Sequence, residues 1–297
     1  MEETSCHWVC SRGILKSCRH RNQCPRSSDL HIDSNLLDGL EDYATVHICS
    51  WLTILRFVRE FVPKLTKKVI MVTNDSDMDG PINPHSHELP KAEIRAFLDS
   101  DLCVHWFTQN CTLEHPKVTA MPIGMDYHTL SHKENPVEQE RMINEVAKAA
   151  RPSHERSLLC YGNFKFGMND KYYTHERRNC FDQVPTHLCR HETSIIPRKQ
   201  TWEHQSHHAF VLSPAGGGLD CHRTWEALIL GCIPILRKLS PHFEKIFEDL
   251  PVLLVDNWTD ITEELLQQTI DDFKTRTFRL EKLTLSYWIQ QFNKYKK

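Results

Sequence analysis

Apolar residues fall along this chain in two kinds of grouping, short unbroken runs and stripes at helical spacing. Residues 68–73 (KVIMVT) form a continuous apolar run of strand length, the mark of a parallel strand covered on both faces. A strand is predicted before it over 44–50, and the spacing over 51–65 predicts an amphipathic helix between the two. The alternation continues with a helix over 91–99, strands over 102–108 and 118–123, and a helix over 134–150. The polar, proline-containing stretch 151–157 (RPSHERS) reads as a connection, which places a domain boundary near Ser153.

The second half repeats the pattern. A strand is predicted over 158–161, then a loop and helix (GNFKFGMNDKYYTHERR), then a strand over 210–212. Trp225, Ala227, Leu228 and Leu230 give the next helix a buried face, Gly231 stops it, and a strand runs to Leu236. Beyond that lie a helix, a strand over 252–256 (VLLVD) and a further helix. Thr259 or Asp260 is its expected N-cap, with Glu263 completing a capping box from Asp260. Leu280, Leu283, Leu285, Trp288, Ile289 and Phe292 form the apolar face of a terminal helix, and Trp258 is expected in core or interdomain packing rather than as a sugar platform.

Strands alternating with helices make this an α/β chain, and 297 residues with 40% hydrophobic content suffice for two cores. The expected division is a cysteine-rich extension over 1–30, a first α/β domain over 31–153, a second over 154–278, and the terminal helix over 279–297. A net charge of −3 with no domain-scale basic surface argues against a general nucleic-acid binder. No stretch approaches the roughly 20 apolar residues that cross a bilayer. The N-terminus MEETSCHWVCSRGILKSCRHRNQC lacks a continuous apolar segment of the secretory kind. A cytoplasmic protein is expected from the chain as written, or alternatively a Golgi protein if the chain is a fragment lacking its anchor.

Of the twelve cysteines, Cys6, Cys10, Cys18 and Cys24 crowd the first two dozen residues with His7 and His20. A zinc knuckle, two disulfides and an unstructured extension all fit, and the extension is preferred because the spacings match no standard zinc pattern. Cys49, Cys103, Cys160 and Cys232 sit in apolar contexts and read as small buried hydrophobes. His204, His207 and His208 read as a solvated loop rather than a metal site.

Candidate chemistry concentrates in residues 209–236, AFVLSPAGGGLDCHRTWEALILGCIPIL. A strand ends in Ser213, Gly216, Gly217 and Gly218, and a helix follows with Asp220, His222 and Arg223 at its beginning. Glycines allow a ligand close to the backbone N–H groups, and a helix N-terminus adds about half a positive charge. Arg223 offers a permanent planar cation suited to phosphate. Glu226, one turn on and on the same face, is placed to accept hydrogen bonds from sugar hydroxyls. Asn163 and Lys165 lie beyond the 158–161 strand end, with Arg177 further on; donor phosphate contact and a surface role are open for all three.

The pattern F-x-L-S-P-x-G-x-G-x-D-x-x-R-x-W-E-A-L-x-x-G-C-I-P-I resembles the donor-binding motif of exostosin-type glycosyltransferases, including their short viral, algal and protist relatives. The matching residues are Ser213, Gly216, Gly218, Arg223, Glu226, Gly231 and Pro234, and weaker likeness extends from about Ile32. The resemblance implies the GT-B architecture, two Rossmann-like parallel-sheet domains facing a cleft with a C-terminal helix crossing back to the first. It further implies that Arg223 contacts the diphosphate and Glu226 the ribose of a nucleotide-sugar, the donor for transfer to a glycan or glycoconjugate.

Such a transfer needs a base for the acceptor hydroxyl if it inverts the anomeric centre, and needs none if it retains it. Asp77 is the first choice, with Asp75 and Asp126 as alternatives and His85 and His87 behind them. An Asx turn and cap at Asp75 and Asp77 is the competing structural reading. A diphosphate neutralised by arginine and a helix N-terminus needs no metal, so neither a metal nor a cofactor is expected. Two other functions fit the residues: a nonenzymatic sugar-nucleotide or glycan binder, and a zinc-dependent interaction protein organised by the N-terminal cysteines.

Overall fold

The computed structural model describes residues 3–23, 30–49, 51–82, 91–129, 135–166, 173 and 175–296. Among them nine strands form two all-parallel sheets, of four and five strands, with helices in the connections. The fold is therefore α/β with two parallel sheets. No described helix is long and apolar enough to cross a membrane.

One compact unit takes Glu2–Ile123, Ser240–Ile246 and Thr284–Lys297. Its strands β1 (Ala44–Ile48), β2 (Val69–Thr73), β3 (Cys103–Thr108) and β4 (Val118–Ala120) lie side by side in chain order. Every residue of β1 and β2 is buried, as an unbroken apolar run demands. Ile54 and Phe57 from the Trp51–Glu60 helix, and Ile94 and Phe97 from the Lys91–Asp99 helix, close over Val46, Met71 and Trp106. The first of these helices stops five residues short of its expected end, because Pro63 has no N–H to continue it; a 3-10 turn, Val62–Lys64, follows.

The first two dozen residues correct the expectation of a mobile extension. The Ser11–Ser17 helix buries Ile14 and Leu15 completely. His20 then lies along β1, donating to the Thr45 carbonyl at 3.0 Å and accepting from the His47 N–H at 2.8 Å, which covers an otherwise open sheet edge. Cys6, Cys10 and Cys18 are buried thiols. Cys10 Sγ accepts from the Gly13 N–H that begins the helix, and burial pushes the Cys18 thiol up to about 12, away from the thiolate that zinc requires. Cys24 lies outside the described residues.

The expected terminal helix is split at Thr284, whose hydroxyl caps a new helix by accepting from Tyr287 N–H at 3.2 Å. Leu280 and Leu283 fall in a separate 3-10 turn, Leu280–Leu283. The Leu285–Asn293 helix belongs to the unit just described, with the Phe292 ring 4.7 Å from that of Phe107.

Two buried histidines give this unit a pH dependence. His47 Nε2 donates to Asn74 Oδ1 (2.7 Å), and His105 stacks 4.0 Å from Tyr295. Burial lowers each to about 4, against about 6.5 in an unfolded chain. Their stabilisation is complete above the unfolded value and is lost as pH falls from about 6.5 to about 4, by at most about 1.4 kcal/mol per pH unit for each. The urea midpoint is expected to fall between pH 7 and pH 5; a midpoint constant over that range would contradict this burial.

The second unit takes Gly124–Leu239 and Phe247–Leu283. It includes the Pro136–Ala149 helix, which lies before the expected boundary at Ser153. Its strands β5 (Ser157–Gly162), β6 (Cys189–His191), β7 (His208–Leu212), β8 (Ile233–Arg237) and β9 (Leu253–Val255) are ordered β6-β5-β7-β8-β9. Phe210, Leu212, Ile233, Ile235 and Trp258 form its core. The capping residues are shifted from those expected. Thr262 caps the Glu263–Thr275 helix, while Asp260 completes a capping box with Asn257 on the preceding 3-10 turn, Trp258–Asp260.

The histidine-rich stretch before β7 is also not a solvated loop. His204 lies in the Arg198–Ser206 helix, His207 is its C-cap, and His208 opens β7 and is buried. This helix, RKQTWEHQS, buries Trp202, Gln205 and Ser206, so it carries no apolar stripe for sequence reading to find.

Candidate functional site

The order of the five-stranded sheet reverses between β5 and β7: the chain steps outward from β5 to β6 and returns to the other side with β7. In parallel sheets the loops leaving such a pair diverge to opposite faces, and the crevice outside their C-terminal ends is where ligands bind. The loop after β5 holds Asn163, Phe164 and Lys165; the loop after β7 is the Ser213–Gly218 stretch. Strand order thus brings the two groups of candidate donor residues to one edge.

Ser213 and Asp220 serve the loop itself. Ser213 Oγ lies 2.8 Å from Thr224 Oγ1, and both Asp220 oxygens accept from the Trp225 indole N–H, at 2.9 and 3.0 Å. The glycines differ in detail from the expectation of outward N–H groups. Gly216 N–H turns inward to the Gly218 carbonyl at 3.0 Å. An added Cβ at 216 would meet the Arg177 guanidinium, with Cζ at 3.0 Å, so glycine here is what lets Arg177 lie against the loop backbone. The His222–Ile229 helix follows, with Cys221 at its N-cap making no side-chain capping bond, so no capping side chain takes its first-turn N–H groups. Gly231, at φ +71°, ends it, with Cys232 N–H returning to the Ala227 carbonyl at 2.8 Å.

Two arginines meet at this loop. Arg177, in the Glu176–Gln183 helix, lies against Gly216 and donates from Nη1 to the Lys165 carbonyl at 2.8 Å. Arg223 lies over the Phe164 ring, 5.4 Å from its centroid. Arg177 Nε and Arg223 Nη1 are enclosed and have no hydrogen-bond partner among the described residues. Burial, with the Arg177 charge adding to it, lowers Arg223 to about 10, which leaves it a cation at neutral pH. Lys165 is exposed and Asn163 half-buried.

Glu226 is engaged by protein groups that the sequence did not single out. Arg198 Nη2 donates to its Oε1, and the Trp202 indole N–H to its Oε2 at 2.9 Å. Arg198 Nη1 also reaches the Asp126 carbonyl and Gln139 Oε1. The one legible signal for this group was Trp202, an isolated tryptophan in a polar stretch after Pro197.

Asp126, His128 and His222 form a second cluster, each offering a ligand atom within 4.8 Å of the others. Asp126, expected alongside Asp75 and Asp77, instead belongs to the unit that holds the glycine loop. Its carboxylate accepts from Thr129 N–H at 3.0 Å and Thr129 Oγ at 2.5 Å, and is held well below the usual carboxylate range, against the opposing effect of burial, by His222, Thr129, His128 and Arg198.

Asp75 and Asp77 lie in the other unit, in the loop after β2. Asp75 is buried at φ +63°, its Oδ2 3.5 Å from Arg12 Nε. Its N–H bonds Gln109 Oε1 at 3.2 Å, and Gln109 and Asn110 both donate to the Ser76 carbonyl. Asp77 is exposed. Thr73, Asn74, Ser76, Asp79, Thr108 and Gln109 line a small polar crevice at this sheet edge; Asp79 is a carboxylate the sequence reading passed over. His85 and His87 lie outside the described residues.

No protein-family model and no curated protein matches the chain, so the exostosin-type pattern stands on its motif residues alone. Among solved structures, an alpha1,3-fucosyltransferase crystallised with GDP-fucose is similar over 96% of each chain, at 11% identity and a TM-score of 0.35. That likeness is distant, and this chain's own residues carry the functional reading.

Proposed function

We propose that this protein is a glycosyltransferase that takes a sugar from a nucleotide-diphosphate donor and passes it to a hydroxyl of a glycan or glycoconjugate. The observation that carries the reading is the arginine pair at the strand-order reversal. No carboxylate lies within ion-pair distance of Arg177 or Arg223 among the described residues; Glu226 acts on Arg223 only at longer range and is itself paired with Arg198. Two like charges held together in a partly dry site repel each other, and a bound dianion relieves that cost. The helix N-terminus beside them favours the same charge.

In the reaction, the acceptor oxygen forms a bond to the anomeric carbon as the bond from that carbon to the diphosphate oxygen breaks. The departing electron pair rests on the diphosphate, where Arg177 and Arg223 stabilise it. The acceptor proton passes to Asp77, the exposed carboxylate of the β2 loop; Asp75 is committed to Arg12. The exostosin-type pattern favours a UDP-sugar. Glu226 retains acceptor lone pairs beside its protein partners, and its ribose role belongs to this reading.

The test is release of free nucleotide from UDP- and GDP-sugars with glycan acceptors. Asp77→Asn is expected to keep nucleotide affinity and lose transfer, and unchanged turnover would remove Asp77 as the base. Binding of a nucleotide-sugar without turnover by the parent protein would favour the nonenzymatic binder.

A further inference from the structure

The Asp126, His128 and His222 cluster takes no part in the reaction proposed above, and its geometry points to a different ligand. We infer that these three residues bind one divalent first-row transition cation through two imidazole nitrogens and one carboxylate oxygen. Two histidines and a carboxylate suit zinc, cobalt or iron(II), and not magnesium or calcium, which take oxygen ligands. The inference is independent of the proposed sugar transfer.

Three features of the cluster support it. The ligand atoms all lie within 4.8 Å of one another, and His128 Nδ1 is 3.5 Å from Asp126 Oδ1. A cation bonded at about 2.1 Å to each donor in tetrahedral geometry holds them about 3.4 Å apart. Closing the site thus asks for small side-chain rotations only.

The second feature is orientation. His222 Nδ1 lies 2.7 Å from the Gly124 carbonyl oxygen. A carbonyl only accepts, so Nδ1 carries a proton and Nε2 is the nitrogen left to bind a metal, the arrangement that a metal-bound histidine has when its other nitrogen is bonded to a backbone carbonyl. Thr129 does the same service for Asp126, through its N–H and its hydroxyl. Third, the site is screened from bulk water without being sealed: the His128 and Asp126 side chains are 18% and 13% exposed.

The opposing effects are weaker. His222 is the first residue of its helix, and the positive helix end disfavours a cation only modestly. Arg198 approaches the Asp126 carbonyl and adds repulsion, but its charge is already met by Glu226. Sequence spacing gives no hint of this site, because His222 lies far along the chain from Asp126 and His128.

The experiment is titration of the chelator-treated full chain with Co²⁺, followed by visible absorption and by metal-to-protein ratio after gel filtration. One cobalt per chain with nitrogen and oxygen ligation is expected, displaced by Zn²⁺. His128→Ala should weaken it by at least roughly a hundredfold, the upper end of what loss of even an outer-shell partner does. No cobalt bound by the folded parent chain would overturn the inference. So would equal binding by a folded His128→Ala protein, or a thiolate charge-transfer band placing the metal on cysteine. If His128→Ala does not fold, His128→Gln provides the comparison, and the parent titration decides by itself.

Discussion

Arg223→Ala is expected to weaken binding of a nucleoside diphosphate by about 2 kcal/mol or more, roughly thirtyfold, as befits loss of a charge-assisted hydrogen bond. The same substitution should leave the stability of the ligand-free protein little changed. It removes the contact with Phe164, worth about 0.5–2 kcal/mol according to how far it is desolvated, but it also removes repulsion from Arg177, the charge that depresses Arg223. Arg177→Ala should behave alike. Because both guanidinium groups are assigned to one anion, their effects should not add: a double-mutant cycle measured by calorimetric titration should show coupling above about 0.5 kcal/mol. Unchanged affinity in Arg223→Ala, or a large loss of stability, would mean that these arginines belong to the fold and not to a ligand.

Glu226→Ala is expected to cost about 3–5 kcal/mol of stability, the largest effect of any single change at this site. Glu226 and Arg198 each expose 11% of their side chains, so removal of the carboxylate strands a nearly dry guanidinium. It also strands the Trp202 indole N–H, whose residue is completely buried. Glu226→Gln keeps the shape and one acceptor, and should cost less. The urea midpoint decides between roles. A protein that unfolds far more easily identifies Glu226 as the anchor of Arg198 and Trp202; reduced nucleotide affinity at unchanged midpoint would identify a ribose contact.

These two residues show where sequence reading succeeds and where it stops. β2, β7 and the helix after the glycine loop were legible, because burial on both faces leaves an unbroken apolar run and burial on one leaves a stripe. Gly231 was legible because its positive φ restricts the position. The Arg198–Ser206 helix was not, since it buries mainly polar side chains, and with it went both partners of Glu226. Arg177 could be seen near the site but not paired with Arg223, for that depends on the packing of the helix after β5 on the β7 loop. The N-terminal segment misled for a related reason: cysteines and histidines drew notice, while Ile14 and Leu15, only two apolar residues in a short helix, do the anchoring. Asp75 looked like Asp77 in sequence, and its ion pair with Arg12 separates them.

The central claim is that the arginine pair binds a nucleoside diphosphate, and thermal unfolding of the parent protein with UDP, GDP, CMP and their sugars tests it most directly. A ligand at a hundred times its Kd adds about 2.7 kcal/mol to stability. The account predicts a dose-dependent rise in Tm with one nucleoside diphosphate, retained in EDTA-treated samples and lost in Arg223→Ala. No rise with any nucleotide at millimolar concentration would contradict it.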